Sequence, residues 1–177
     1  MAITKNARAY TGGKYNLTFD GQTDAGWIKS VEGGNATADV VVEKMGADHI
    51  ARKHLATVKY EDISFQCGTG MTTTFYDWIN TAFNHTSNDA GRRTGAINHY
   101  DYDYNLLSAL EFRNGLITEF GMPALDASSK DAALMTVKFK PEITRKVIKG
   151  SGKVGNPKMD AAAQKKWLPS NFRLRFT

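Results

Sequence analysis

Strict alternation of apolar and polar residues constrains this chain more than any other feature. In "KYNLTFD", Tyr15, Leu17 and Phe19 take every second place among Lys14, Asn16, Thr18 and Asp20. A period of two suits an extended strand with one buried and one wet face, and fits no helix. Asp20-Gly21 supplies a turn, so "GWIKSVE" reads as the returning strand of a hairpin that ends at Gly33-Gly34. "ADVVVE" follows as a third short strand, and "KMGADHIARKH" as a polar segment without periodicity. "INHYDYDYN", "SALEFRN", "GLITEFGMPAL", "ALMTVKFKPEI" and the terminal "NFRLRFT", where Phe172, Leu174 and Phe176 alternate with Arg173 and Arg175, extend the pattern.

Two stretches break it. In "ATVKYEDISFQCG" the phase changes: Val58 and Tyr60 share one parity, while Ile63, Phe65 and Cys67 share the other. A bulge near Glu61 and Asp62 within one long strand would restore a single apolar face. From Thr72 to Asn84 the spacing becomes three and four, with Met71, Phe75, Trp78, Ile79, Ala82 and Phe83 on one stripe. That predicts the one clear helix, packed on a sheet, with Thr74 and Asp77 spaced as in a capping box. About eight strands and one helix make the fold class mostly β: a two-sheet sandwich or barrel subunit with one main helix. With 177 residues and 41% hydrophobic content, residues 1–177 suit one domain that buries roughly 70% of its unfolded surface.

The strand-to-helix corner "FQCGTGMTTTFYDW" contains the only cysteine, and a thiol before a helix is where nucleophilic cysteines are found. Cys67 shares the apolar parity of Ile63 and Phe65, however, and so reads as a small buried hydrophobe. "GTGMTTT" lacks the lysine and spacing of a phosphate loop; Gly68 and Gly70 are expected to free the backbone for the turn. In "HYDYDY", His99, Asp101 and Asp103 project from one face if the strand continues, with Tyr100, Tyr102 and Tyr104 on the other. One imidazole and two carboxylates invite a divalent ion, but no further ligand follows from spacing. His49 and His54, five apart, add nothing. The expectation is of no enzyme, no metal and no cofactor. A lone cysteine supports no internal disulfide, no run reaches the ~18 apolar residues of a membrane span, and the first residues lack a signal-peptide core, so a reducing cytoplasm is the expected compartment.

Charge is divided along the chain. Lys138 to Thr177 hold eleven Lys or Arg against Glu142 and Asp160, whereas the preceding 137 residues hold twelve against sixteen acids. A basic tail on an acidic body suits a solvated face, another copy of the same chain, or a nucleic acid. The last class makes a free-standing nucleic-acid-binding domain the alternative reading, although aromatics do not interleave with the lysines of "VIKGSGKVGNPK".

Four segments taken together, "LTFDGQTDAGWIKSVEGG", "KHLATVKYEDISFQCGTGMTTTFYDWI", "LDASSKDAALMTVKFKPE" and "KWLPSNFRLRF", resemble the tail-tube (inner tube) proteins of contractile phage tails and phage-tail-like contractile injection systems. The resemblance covers most of the chain; "NHTSNDAGRRTGAINHYDYDYN" and "KGSGKVGNPKMDAAAQ" depart from it. It implies a non-enzymatic subunit of the tail-tube (Hcp-like) fold. Six copies form a ring whose strands close an inner barrel, and rings stack into a hollow tube. A contractile sheath protein drives the tube; baseplate and tube-terminating proteins bound it; effector protein or DNA passes through the lumen. Assembly in the bacterial cytoplasm is implied. By analogy the segment from Glu43 through Lys59 makes the inter-ring contact, with Glu43, Lys44, Met45, Asp48, His49 and Lys53 as candidate contact residues. Arg145, Lys146 and Lys149 are expected to meet acidic residues of an adjacent subunit.

Overall fold

Alternation becomes strands that wind around one apolar interior. The computed structural model describes residues 13–20, 23–44, 46, 50–84, 91–123 and 132–147, with Arg173 and Arg175. In chain order the elements are β1 (Lys14–Phe19), β2 (Thr23–Gly33), β3 (Ala36–Lys44), β4 (Ala51–Tyr60), β5 (Ile63–Cys67), α1 (Thr73–Phe83), β6 (Arg92–Tyr100), β7 (Leu106–Gly121), β8 (Met135–Lys140) and β9 (Ile143–Val147). The main sheet runs β6-β1-β2-β5-β8-β7, and β7 pairs back onto β6, closing a six-stranded antiparallel barrel. Closure removes the sheet edges that otherwise invite stray pairing. Of the terminal "NFRLRFT" strand, only Arg173 and Arg175 are described; both are exposed and outside any strand.

Inward-facing side chains fill so small a barrel. Leu17 and Phe19 of β1, Phe65 of β5, Phe112 of β7 and Phe139 of β8 are fully buried. The rings interlock: Phe112 and Phe139 centroids lie 4.8 Å apart, and Trp78 of α1 meets Phe19 edge-on at 5.0 Å and Phe139 at 5.5 Å. Each such pair adds about 0.5–1.5 kcal/mol beyond its buried area. The Trp78 indole N–H, removed from water, donates to the Gly91 carbonyl at 2.8 Å. The helix therefore seals the barrel end at which β1 finishes and β2 and β6 begin.

The helix starts differently from the expected capping box. Thr72 is the N-cap without a side-chain capping bond; instead its backbone N–H and its hydroxyl both donate to the Ala25 carbonyl, at 3.0 and 3.4 Å. The corner is fastened to β2 rather than to its own first turn. Gly68 and Gly70 are not where the corner needs glycine, since a Cβ on either meets nothing within 4 Å. The demand falls on Gly26, at φ 131°, where a Cβ would lie 2.6 Å from the Met71 sulfur.

The expected long strand with a bulge at Glu61-Asp62 is two strands in two sheets. β5 belongs to the barrel, whereas β4 pairs, among the described residues, only with β3 in a separate two-stranded ribbon. The phase change marks the chain leaving the barrel. "SALEFRN" and "GLITEFGMPAL" are conversely one strand, β7, paired with β6 on both sides of a register shift at Asn114, whose φ is 51°. β8 and β9 run along the same edge of β7, parted at Pro141, which has no N–H to give the ladder.

Candidate assembly surface

The β3–β4 ribbon stands away from the barrel as an arm, and almost all of its residues are exposed. Antiparallel register assigns its faces, because residues directly opposite share a side. Ala38 faces Val58, Val40 faces Leu55, Val42 faces Lys53 and Lys44 faces Ala51. The opposite side carries Val41 with His54 and Glu43 with Arg52. One side is thus an apolar stripe in water: Leu55 is 70% exposed, Val40 54% and Val42 49%. Apolar side chains grouped on one uncovered face mark an interaction site rather than scattered surface residues. Polar contacts keep the ribbon in register, with Lys59 Nζ 2.8 Å from Asp39 Oδ2 and His54 Nε2 4.0 Å from Glu43 Oε1.

The arm's root is stiff. Gly33 and Gly34 turn the chain out of β2 with φ of 87° and 76°, and Gly34 N–H donates to the Asp62 carbonyl at 3.3 Å. Glu61 N–H donates to the Asn35 carbonyl at 3.0 Å, and the Asn35 amide donates to the Glu61 carboxylate at 2.8 Å. Asp62 also sits 3.6 Å from the ammonium groups of both Lys138 and Lys140. At Gly33 a Cβ would stand 2.0 Å from the Asp62 oxygen, so only glycine fits.

The candidate contact residues divide into two places. Glu43, Lys44 and Lys53 lie toward the arm's tip, with Lys44 and Lys53 on the apolar side and Glu43 on the polar one. Arg145 and Lys146 are exposed on β9, opposite Glu111 and Leu110 of β7. Lys146 lines a slot at the arm's root. Met45, Asp48, His49 and Lys149 lie outside the described residues. Sequence reasoning missed Val40, Val42 and Leu55, the uncovered apolar residues. Their signal was an apolar run, Val40 to Val42, beside a segment too charged to cover it.

The chemistry-bearing candidates do not assemble into a reactive centre. Cys67 is fully buried, and burial pushes its thiol up to about 12, far from the thiolate a nucleophile needs. The strand of "HYDYDY" ends at Tyr100, so the one-face arrangement of His99, Asp101 and Asp103 does not form. Asp101 closes a turn instead: its carboxylate accepts from the backbone N–H groups of Asp103 and Asn105 at 2.9 and 2.8 Å and from the Asn105 amide at 2.9 Å. The Asn105 bonds hold that carboxyl below its ordinary range. The tyrosines also part company: Tyr100 is buried, Tyr102 is 73% exposed, and Tyr104 packs edge-on to Trp27 under the Lys14 ammonium. Among the described residues no group of three or more His, Cys, Asp or Glu is placed to hold a metal ion, and no helix is long and apolar enough to cross a membrane.

A closed six-stranded barrel, sealed by a helix at one end and extending a stiff apolar ribbon at the other, defines a building block whose prominent surface suits contact with another protein. The sequence profile of the family described as T4-like virus tail tube protein gp19 matches residues 12–143. The chain belongs to that family of tail tube proteins of contractile systems. Solved structures share the fold. A chain of the PVC sheath–tube complex in the extended state, from an extracellular contractile injection system, superposes with a TM-score of 0.63 at 19% identity, over 80% of this chain and 93% of that one. A chain of the anti-feeding prophage tube-terminating cap gives 0.63 at 18% identity, over 84% and 100%. A chain of the anti-feeding prophage baseplate gives 0.59 at 13% identity, over 82% and 97%. No protein of curated function matches the chain in sequence.

Proposed function

We propose that the chain is the inner-tube protomer of a contractile tail or tail-like particle, forming six-membered rings that stack into a hollow tube. In this reading residues 1–177 act as one tube domain. A contractile sheath drives the tube, baseplate and terminating proteins define its ends, and the lumen conducts protein or DNA. Assembly takes place in the bacterial cytoplasm. The observation that carries the reading is the arm's uncovered apolar stripe, on a chain whose family builds tubes. A monomer gains nothing from exposing Val40, Val42 and Leu55, whereas a stacked neighbour that covers them gains about 25 cal/mol per Å² of apolar surface.

The segment from Glu43 through Lys59 makes the inter-ring contact, with Glu43, Lys44, Met45, Asp48, His49 and Lys53 as its contact residues. Arg145, Lys146 and Lys149 meet acidic residues of an adjacent copy. Electron microscopy of negatively stained protein, alone and with baseplate partners, is the direct test. Rings or tubes about one barrel-and-arm thick are expected; a monomer under both conditions would overturn the proposal. Lys146→Glu should shorten tubes more at low salt than at high salt, where charges are screened within about 10 Å at 0.1 M. Equal lengths at both would remove the electrostatic part.

A further inference from the structure

The barrel is closed but leaves one strand half-paired. β9 pairs with β7 and, among the described residues, with no other strand, because the chain turns at Gly33-Gly34 into the arm where β2 and β5 would otherwise flank it. One side-chain bond, from the Thr144 hydroxyl to the Gly34 carbonyl at 3.0 Å, crosses the gap. Beside this free edge opens a slot of about 280 Å³, floored by Val31, Ile97 and Leu110 and rimmed by Ala36 and Lys146. A cavity of ~150 Å³ holds a benzene ring, so this one takes about two side chains of phenyl size. His99 also lines it, and its Nε2 is buried with no hydrogen-bond partner among the described residues. A free strand edge, an apolar slot beneath it and an unpaired polar atom inside are what strand addition uses: backbone ladder bonds for affinity and pockets for alternate side chains.

The chain carries a segment of matching chemistry. "NFRLRFT" alternates Phe172, Leu174 and Phe176 with Arg173 and Arg175, a strand pattern with one apolar face. Its seven residues are long enough to span the five of β9. Arg173 and Arg175, the two described residues of the segment, are exposed and outside any strand. Between Val147 and Asn171 lie 23 residues, which reach up to about 75 Å when extended, enough to arrive at a neighbouring molecule. We propose that the terminal segment 171–177 of one copy adds as a strand to the free β9 edge of the next, placing Phe172, Leu174 and Phe176 toward the slot. Arg173 and Arg175 then face outward, on the side of Ile143 and Arg145, because Thr144 is the buried neighbour. The inference deepens the tube reading by naming donor and acceptor, and rests on it.

Two measurements decide it. Copies carrying Arg145→Cys are mixed with copies carrying Arg173→Cys or Arg175→Cys, assembled and mildly oxidised. Opposed positions on paired strands fall within the 4.4–6.8 Å Cα separation a disulfide needs, and the buried Cys67 stays out of the reaction. Cross-linked dimers are expected in the mixture and absent from either population alone. In parallel, a labelled peptide of residues 171–177 is titrated onto the chain truncated after Ser170. Saturable binding is expected, weakened at least tenfold by Ala36→Trp, which fills the slot from its exposed rim. Tubes that form without cross-links overturn the inference, as does bridging within one chain that carries both Arg145→Cys and Arg173→Cys, or peptide binding indifferent to Ala36→Trp. If the full chain makes no rings or tubes, the tube reading falls, and the peptide titration still decides whether β9 accepts the segment.

Discussion

Replacing Leu55 by Ser separates assembly from folding. Leu55 sits at the middle of the arm's apolar stripe, opposite Val40, and is 70% exposed. Fully burying a leucine is worth about 1.5–3 kcal/mol, so covering the exposed share is worth about 1–2 kcal/mol for each arm that docks. Serine removes that gain, and at about 1.4 kcal/mol per tenfold the concentration needed for assembly rises about fivefold to thirtyfold. The isolated chain barely notices. An exposed substitution costs within about 0.5 kcal/mol, a Tm change under roughly 2 °C for a chain of this size. Light scattering against protein concentration reads the first quantity and thermal unfolding of the unassembled chain the second. Phe65→Ala provides the contrast, since removing this buried ring costs about 3–5 kcal/mol of stability. An assembly threshold raised less than twofold with the fold intact would refute the reasoning. So would a large fall in Tm, which would put Leu55 in the chain's own packing.

Gly33→Ala forces a Cβ against the Asp62 carbonyl at a positive φ; it should cost more than about 1 kcal/mol and hinder assembly at matched temperature, and an unchanged denaturation midpoint would contradict the stiff root. Cys67, with its thiol pushed up to about 12 by burial, should react with an aromatic disulfide at pH 8 only at the rate at which the chain opens; fast labelling of native protein would count against the packing described. The folded-state carboxyl of Asp101 lies below its ordinary value, so its contribution is present above the unfolded pKa and is lost as pH falls through the folded one. Asp101→Asn should therefore be less stable than the parent at neutral pH, with the gap narrowing as pH drops below the ordinary carboxylate range, as followed by urea unfolding; a gap constant with pH would show that charge on Asp101 is irrelevant to the turn.

What could be read from residue order depends on where each element is covered. β1 alternates and α1 shows a stripe because each has one face against the barrel interior, and both lie within a residue of the positions their periods predict. β4 shows only half of such a signature. "ATVKY" reads as extended, but "ARKHL", exposed along its length, reads as a charged segment because nothing within the chain selects for alternation there. The phase change at Glu61-Asp62 looks the same whether a strand bulges or leaves the sheet; distinguishing them requires knowing that Gly33 and Gly34 turn outward at the same level. The division of "SALEFRN" from "GLITEFGMPAL" errs in the opposite direction. β6 holds β7 on both sides of Asn114-Gly115. The site residues were legible only as charges, whereas the apolar stripe appears once register places Val40, Val42 and Leu55 on one side of the ribbon.

The two ends of the barrel are chemically unlike: Trp78 and its helix close one, and the arm leaves from the other. In the proposed tube such a unit would stack head to tail, through surfaces that are not copies of each other. Any filament made from it therefore has a direction. Growth at its two tips proceeds at different rates, and a partner that recognises the helix tip is blind to the arm tip. Such an object can be counted from one end, started by one protein and stopped by another, without either having to measure its length.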